Sequence, residues 1–171
     1  AFNLIDGIDG LAGGVVLNGC LALGLFFFME RQMSLAIIAA GLFGTIIAFL
    51  RFNFSVSRKL FMGDTGSLVI GFLMAFLSIS FINHHQSLES LTYYNSAPIL
   101  GIAVLFYPLA DTTRIFFLRI FKYKKNPFIA DRNHIHHHFT NLGYSHRRSS
   151  FFIVALNLLI IIIAYALRDL D

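Results

Sequence analysis

Carboxylates are scarce in this chain, nine among 171 residues, and several stand beside long apolar runs where solubility does not explain them. Asp6 and Asp9 occur in NLIDGIDGLAGG, three apart, which puts them on one face if the segment is helical. A capping reading makes Asp9 an N-cap, with glycines for the tight turn. It accounts for one carboxylate and leaves the second. A functional reading takes both as working groups, because ionisable side chains at membrane depth are costly and mark sites. Asp64, in FMGDTGSL, has the same two readings. It is either the N-cap of the apolar run that follows, or a carboxylate at a helix mouth holding a hard cation with phosphate oxygens. Mg²⁺ sites of that kind use only one or two carboxylates. Asp111 and Arg114, at i and i+3, read first as a buried ion pair and second as a pair for chemistry.

The second group is ADRNHIHHHF, residues 130–139, which holds four of the seven histidines: His134, His136, His137 and His138. The run is internal and interrupted, unlike an expression tag. Zinc would take neutral imidazoles, but there is no matching Cys or His pair, and three consecutive rings do not converge on one ion. Imidazoles among Arg132, Lys122, Lys124, Lys125, Arg147 and Arg148 do suit a phosphate, to which they donate hydrogen bonds. A basic loop facing two acidic motifs suits a metal-diphosphate substrate.

The elements that position these residues follow from composition. Charged residues are 13% and hydrophobic residues 57% of the chain, and the mean hydropathy is +0.72. That is too little polar surface for a soluble domain and predicts an all-α, polytopic membrane bundle of about five transmembrane helices. The apolar runs fall near 11–29, 33–50, 67–83, 97–118 and 150–167. Pro98 and Pro108 predict a kink in the fourth. With helices alternating, residues 1–10, 51–66 and 119–149 share one side, which carries ten of the thirteen Lys and Arg residues. This excess predicts that the motif side is cytoplasmic. The net charge of +4 reflects that bias, and no basic–aromatic interleaving points to nucleic acid. The lone Cys20 excludes an internal disulfide. His84 and His85 fall on the opposite side from the histidine loop. AFNLIDGIDG reads as the interior of a motif, so residues 1–171 are expected to be the C-terminal part of one longer multi-pass domain.

Three motifs in fixed order, NLIDGIDGLAGG, FMGDTGSL and DRNHIHHHF with LGYSHRR after it, resemble the polyprenyl-phosphate N-acetylhexosamine-1-phosphate transferases. The form DRNHIHH is closer to the undecaprenyl-phosphate GlcNAc-1-phosphate branch than to the muramoyl-pentapeptide branch. The resemblance implies transfer of a sugar-1-phosphate from a UDP-N-acetylhexosamine to undecaprenyl phosphate, with release of UMP. It implies a bacterial cytoplasmic membrane enzyme acting early in envelope glycan synthesis, with its site facing the cytoplasm and a homodimer as the candidate assembly. It implies Mg²⁺, with Mn²⁺ as the alternative, on Asp64. It further implies Asp6 and Asp9 in catalysis, and Asn3, Asn53, Phe61, Arg132, His134, His136 and His137 in substrate binding, Phe61 by stacking on uracil. Two features depart from the family pattern: no adjacent Asp-Asp pair is present, and NFSVSRKLFMGD lacks a proline before Met-Gly-Asp. The rival class is a transporter or ion carrier, which predicts repeated halves and polar groups near mid-bilayer. An intramembrane aspartyl protease would need a second Asp to partner Asp64.

Overall fold

The computed structural model of the chain describes residues 1–86, 96–122, 124, 126, 135 and 143–168. Among these residues the structure is helical throughout, without strands. A one-turn helix α1 (Phe2–Ile5) precedes α2 (Leu11–Met29), α3 (Met33–Asn53) and α4 (Gly63–His85). After them come α5 (Ala97–Val104), α6 (Phe106–Phe117), a π-helical turn (Leu118–Lys122) and α7 (His146–Ala166). Helices α2, α3, α4 and α7 are each long and apolar enough to cross a bilayer. The protein is a multi-pass membrane bundle, as composition predicts.

Helix α2 is the central element and packs on α3, α4, α5 and α7. Its sequence is apolar on every side, as an enclosed membrane helix requires. Gly19 allows the closest approach, since a Cβ there would run into Met74 of α4 and Val104 of α5. Large apolar side chains such as Ile37, Phe72 and Phe151 stand exposed on the outer faces of α3, α4 and α7. Around a bundle this apolar, such a belt is a lipid-facing surface.

The fourth span differs from its expected form. It is two helices, α5 and α6, bent 76° apart at Leu105. Pro108 has no N–H to bond the Val104 carbonyl, and Leu105 closes a tighter turn on the Ile102 carbonyl at 3.0 Å. Pro98 contributes no kink, because it lies in the first turn of α5, where a proline's missing N–H has no helical partner to lose. The pair still passes from one end of the bundle to the other. At its start the Ser96 hydroxyl donates to the Arg168 carbonyl at 2.8 Å, beyond the C-terminus of α7. Further along, α6 packs on α1 at the motif end.

Helix α4 also begins four residues before the expected 67, at Gly63. Its far end is closed by a polar cluster that composition did not suggest. Glu30, at the C-cap of α2, is buried, and its Oε2 lies 3.1 Å from His84 Nε2. Its Oε1 lies 3.8 Å from Nε2 of the fully buried His85, whose Nδ1 is 3.1 Å from the Phe81 carbonyl oxygen. The cluster ties α2 to α4 opposite the motifs. Replacing Glu30 by alanine leaves buried imidazole without this acceptor and is expected to cost about 1–3 kcal/mol. Glu30→Gln keeps an acceptor and should recover most of the loss. Thermal unfolding in detergent checks this, and equal midpoints for Ala and wild type would show that the cluster carries no stability.

Candidate active site

The two acidic motifs meet at one end of the bundle. Asp6 caps the C-terminus of α1 and is half-buried. Its carboxylate accepts a hydrogen bond from the Gly63 N–H, the first residue of α4 and the neighbour of Asp64. Burial pushes the Asp6 carboxyl up from 3.8 to about 6. The Gly63 amide pulls the other way, and the nearby Asp9 carboxylate adds a smaller upward push. Gly63 has φ +66°, a left-handed conformation natural to glycine, which turns its amide toward Asp6 as α4 begins.

Neither aspartate called a capping residue acts as one. The N-cap of α2 is Gly10, and no side chain caps that helix. Asp9 instead pairs with Lys59, Nζ to Oδ2 at 2.8 Å, and its carbonyl accepts from the Ser150 hydroxyl of α7 at 2.6 Å. The N-cap of α4 is Met62, and Asp64 sits inside the first turn with an exposed side chain. The Ser67 hydroxyl bonds the backbone carbonyl of Asp64 at 3.0 Å, not its carboxylate.

Asn53 is a bracket between the motifs. It is 4% exposed, its Oδ1 accepts from the Gly10 N–H at 2.7 Å, and its Nδ2 donates to the Leu60 carbonyl at 2.9 Å. The amide side chain expected among substrate contacts is thus spent on the two backbones that carry Asp9 and Phe61. Gly10, at φ +79°, fits under the Phe54 ring, where any Cβ would collide. Phe54 is held in turn by Arg147, which donates to its carbonyl at 2.7 Å and lies over its ring.

Phe61 is 69% exposed, with Lys59 Nζ 5.3 Å from its ring centre. Asn3, on α1, is exposed too. An open aromatic beside a lysine that is itself paired to Asp9 can stack a planar base while the charge engages its phosphates. Phe61→Ala removes the stacking face and touches no core residue. It is expected to raise KM for a nucleotide donor about tenfold or more with little change in kcat, since base–aromatic stacking contributes roughly 1–3 kcal/mol. Steady-state kinetics with varied donor decide it, and an unchanged KM would remove Phe61 from the site.

Residues 1–82, which contain both acidic motifs, match the description of glycosyl transferase family 4. The chain is similar to that family over those residues. It is 32% identical over 152 residues to the undecaprenyl-phosphate alpha-N-acetylglucosaminyl 1-phosphate transferase of Escherichia coli (strain K12), covering 87% of this chain and 39% of that protein. The Yersinia pestis protein of the same name is 35% identical over 155 residues, 87% of this chain and 40% of its own length. The probable undecaprenyl-phosphate N-acetylglucosaminyl 1-phosphate transferase of Bacillus subtilis (strain 168) is 32% identical over 170 residues, 99% of this chain and 45% of the relative. The chain therefore spans less than half the length of these relatives.

Of the remaining expected site residues, Arg132, His134, His136 and His137 lie outside the described residues. Ile135 between them is described, and its N–H donates to Asp111 Oδ1 at 3.0 Å. Among the described residues no group of three or more His, Cys, Asp or Glu side chains could hold a metal. Asp6, bonded to the Gly63 amide, and Asp64, next to Gly63 in sequence and exposed, are the carboxylates available for the sparser set that Mg²⁺ takes when phosphates and water complete its shell. Two contacts at this end of the bundle are not legible in the sequence: the Lys59–Asp9 pair and the Ser150 bond to Asp9. In the sequence Lys59 is only one charge in the topological bias. Ser150 had no motif to mark it.

Proposed function

We propose that the protein transfers an N-acetylhexosamine-1-phosphate, GlcNAc-1-phosphate first among the candidates, from a UDP-sugar to undecaprenyl phosphate. The step opens an envelope glycan at the cytoplasmic face of the inner membrane. The observation that carries this reading is the junction of the two motifs, where the Asp6 carboxylate sits on the amide next to Asp64 at one end of an apolar bundle. A lipid acceptor needs such a site, polar at its mouth and apolar along its flank.

In the proposed reaction an oxygen of the lipid phosphate attacks the sugar-linked phosphorus of the UDP-sugar. A new P–O bond forms, the bond from that phosphorus to the bridging oxygen breaks, and UMP leaves with the electron pair. The attacking phosphate is already ionised, so charge neutralisation and alignment matter more than proton removal. Asp64, with Asp6, would hold Mg²⁺, and such an ion would supply charge neutralisation for a diphosphate and a departing UMP. Phe61 stacks the uracil, and Lys59 and Arg147 supply positive charge at the same end. Lys59 is also paired to Asp9, which keeps it oriented. The names of the relatives supply the direction of the reading, since each names both a sugar-phosphate and an undecaprenyl-phosphate acceptor.

Membranes containing the protein, given radiolabelled UDP-GlcNAc and undecaprenyl phosphate, are expected to form a labelled lipid in a Mg²⁺-dependent manner. UDP-GlcNAc, UDP-GalNAc and other UDP-N-acetylhexosamines compared side by side identify the sugar. Failure to label lipid with any of them would contradict the reading.

A further inference from the structure

Asp111 is the most enclosed carboxylate described, with no exposed surface, halfway along the broken fourth span. Arg114, one turn on, donates to its Oδ1 at 3.2 Å. As an ion pair alone this arrangement gives stability little reason to keep it, because a buried pair can commonly be replaced by apolar side chains without loss. The same oxygen, however, accepts a second hydrogen bond, from the backbone N–H of Ile135 at 3.0 Å, 24 residues away. Ile135 stands in sequence between His134 and His136, and its side chain packs against the hydrophobic core. Helix α6, which carries Asp111, packs on α1, which carries Asn3 and ends at Asp6.

We infer that Asp111 is a positioning residue, whose buried carboxylate ties the backbone of Ile135, between His134 and His136 in sequence, to the helix that packs beside the Asp6 segment. An anionic acceptor suits the task, since it bonds an amide and a guanidinium at once and holds the amide more strongly than a neutral acceptor would. Arg114 holds the carboxylate in place through its 3.2 Å bond. Asp111 touches no substrate in this arrangement. It acts through the loop, and the importance of that loop for transfer rests on the function proposed above.

Two measurements on the protein in detergent or nanodiscs test this. The first is amide exchange at Ile135. Asp111→Leu combined with Arg114→Leu removes the acceptor and its Arg114 partner together, and apolar replacement of a buried pair commonly leaves a fold intact. Ile135 exchange should accelerate on the order of ten- to a hundredfold, with amides of α2 and α4 unchanged. Asp111→Asn keeps an acceptor oxygen and should stay within about threefold of wild type, a rescue that simple volume-filling would not give. The second measurement is kinetic. The double variant should lose kcat/KM for the UDP-sugar by a factor similar to its gain in exchange, and Asp111→Asn should recover most of it. Unchanged exchange at Ile135 in the double variant would overturn the inference. So would faster exchange with unaltered transfer, because the tie would then position nothing the reaction uses. Should the wild type show no transfer with any UDP-sugar, the transferase reading falls, and the tie between Asp111 and the loop stands or falls on the exchange result alone.

Discussion

Asp64→Asn is expected to lower sugar-phosphate transfer on the order of a thousandfold while the protein accumulates and unfolds normally, because a metal-held charge contributes several kcal/mol to a phosphoryl-transfer transition state. The side chain is exposed in the first turn of α4, and its carboxylate makes no capping bond there. Ser67 uses the backbone carbonyl, which asparagine leaves in place. Stability should therefore lose only the interaction of one charge with the helix N-terminus, about 0.3–1 kcal/mol. Transfer is measured in membranes with protein amount quantified, alongside the thermal midpoint. Activity within a few-fold of wild type would return Asp64 to a surface role.

Asp6→Asn is expected to be the second most damaging change, lowering transfer on the order of a hundredfold without loss of stability. The sign of the stability effect separates function from folding. A carboxyl held at about 6 instead of 3.8 binds its proton more tightly in the folded chain. Its contribution to stability is present below the ordinary value and is lost as pH rises from 3.8 through about 6. Asparagine cannot ionise and escapes that loss. In metal-free buffer the unfolding midpoint of Asp6→Asn should gain on wild type across this window and equal or exceed it at pH 7.5. A variant less stable than wild type at neutral pH would make Asp6 a structural residue.

The two motifs that carry these aspartates were legible in the sequence as candidates, and the reason is local. Each motif couples a carboxylate to glycine beside an apolar run, a combination costly to keep without a use. The spans were legible as well, since hydropathy integrates over many residues. What escaped was set by single residues or by distant pairs. The break at Leu105 follows from the one hydrogen bond that Pro108 cannot make, in a segment whose hydropathy runs straight through. The start of α4 lay earlier than expected because Gly63, Asp64 and Thr65 are not apolar, so hydropathy is blind to that first turn. Reading Asp9 and Asp64 as caps failed for a related reason, as capping depends on a helix boundary that hydropathy locates only to within a few residues. The pairing of Lys59 with Asp9 spans 50 residues, and no periodicity in the chain encodes such a register. Asn53 showed the same limit: its identity was notable, but only the fold reveals that its amide joins Gly10 to Leu60.

The central claim is that a phosphorus travels with the sugar, and a doubly labelled donor tests it most directly. UDP-GlcNAc carrying ³²P at the sugar-linked phosphate and ³H in the sugar is incubated with undecaprenyl phosphate and membranes containing the protein. The proposed reaction places both labels in the lipid in equal amounts and releases unlabelled UMP. Tritium in the lipid without ³²P, with labelled UDP released, would mean ordinary glycosyl transfer and would contradict the account.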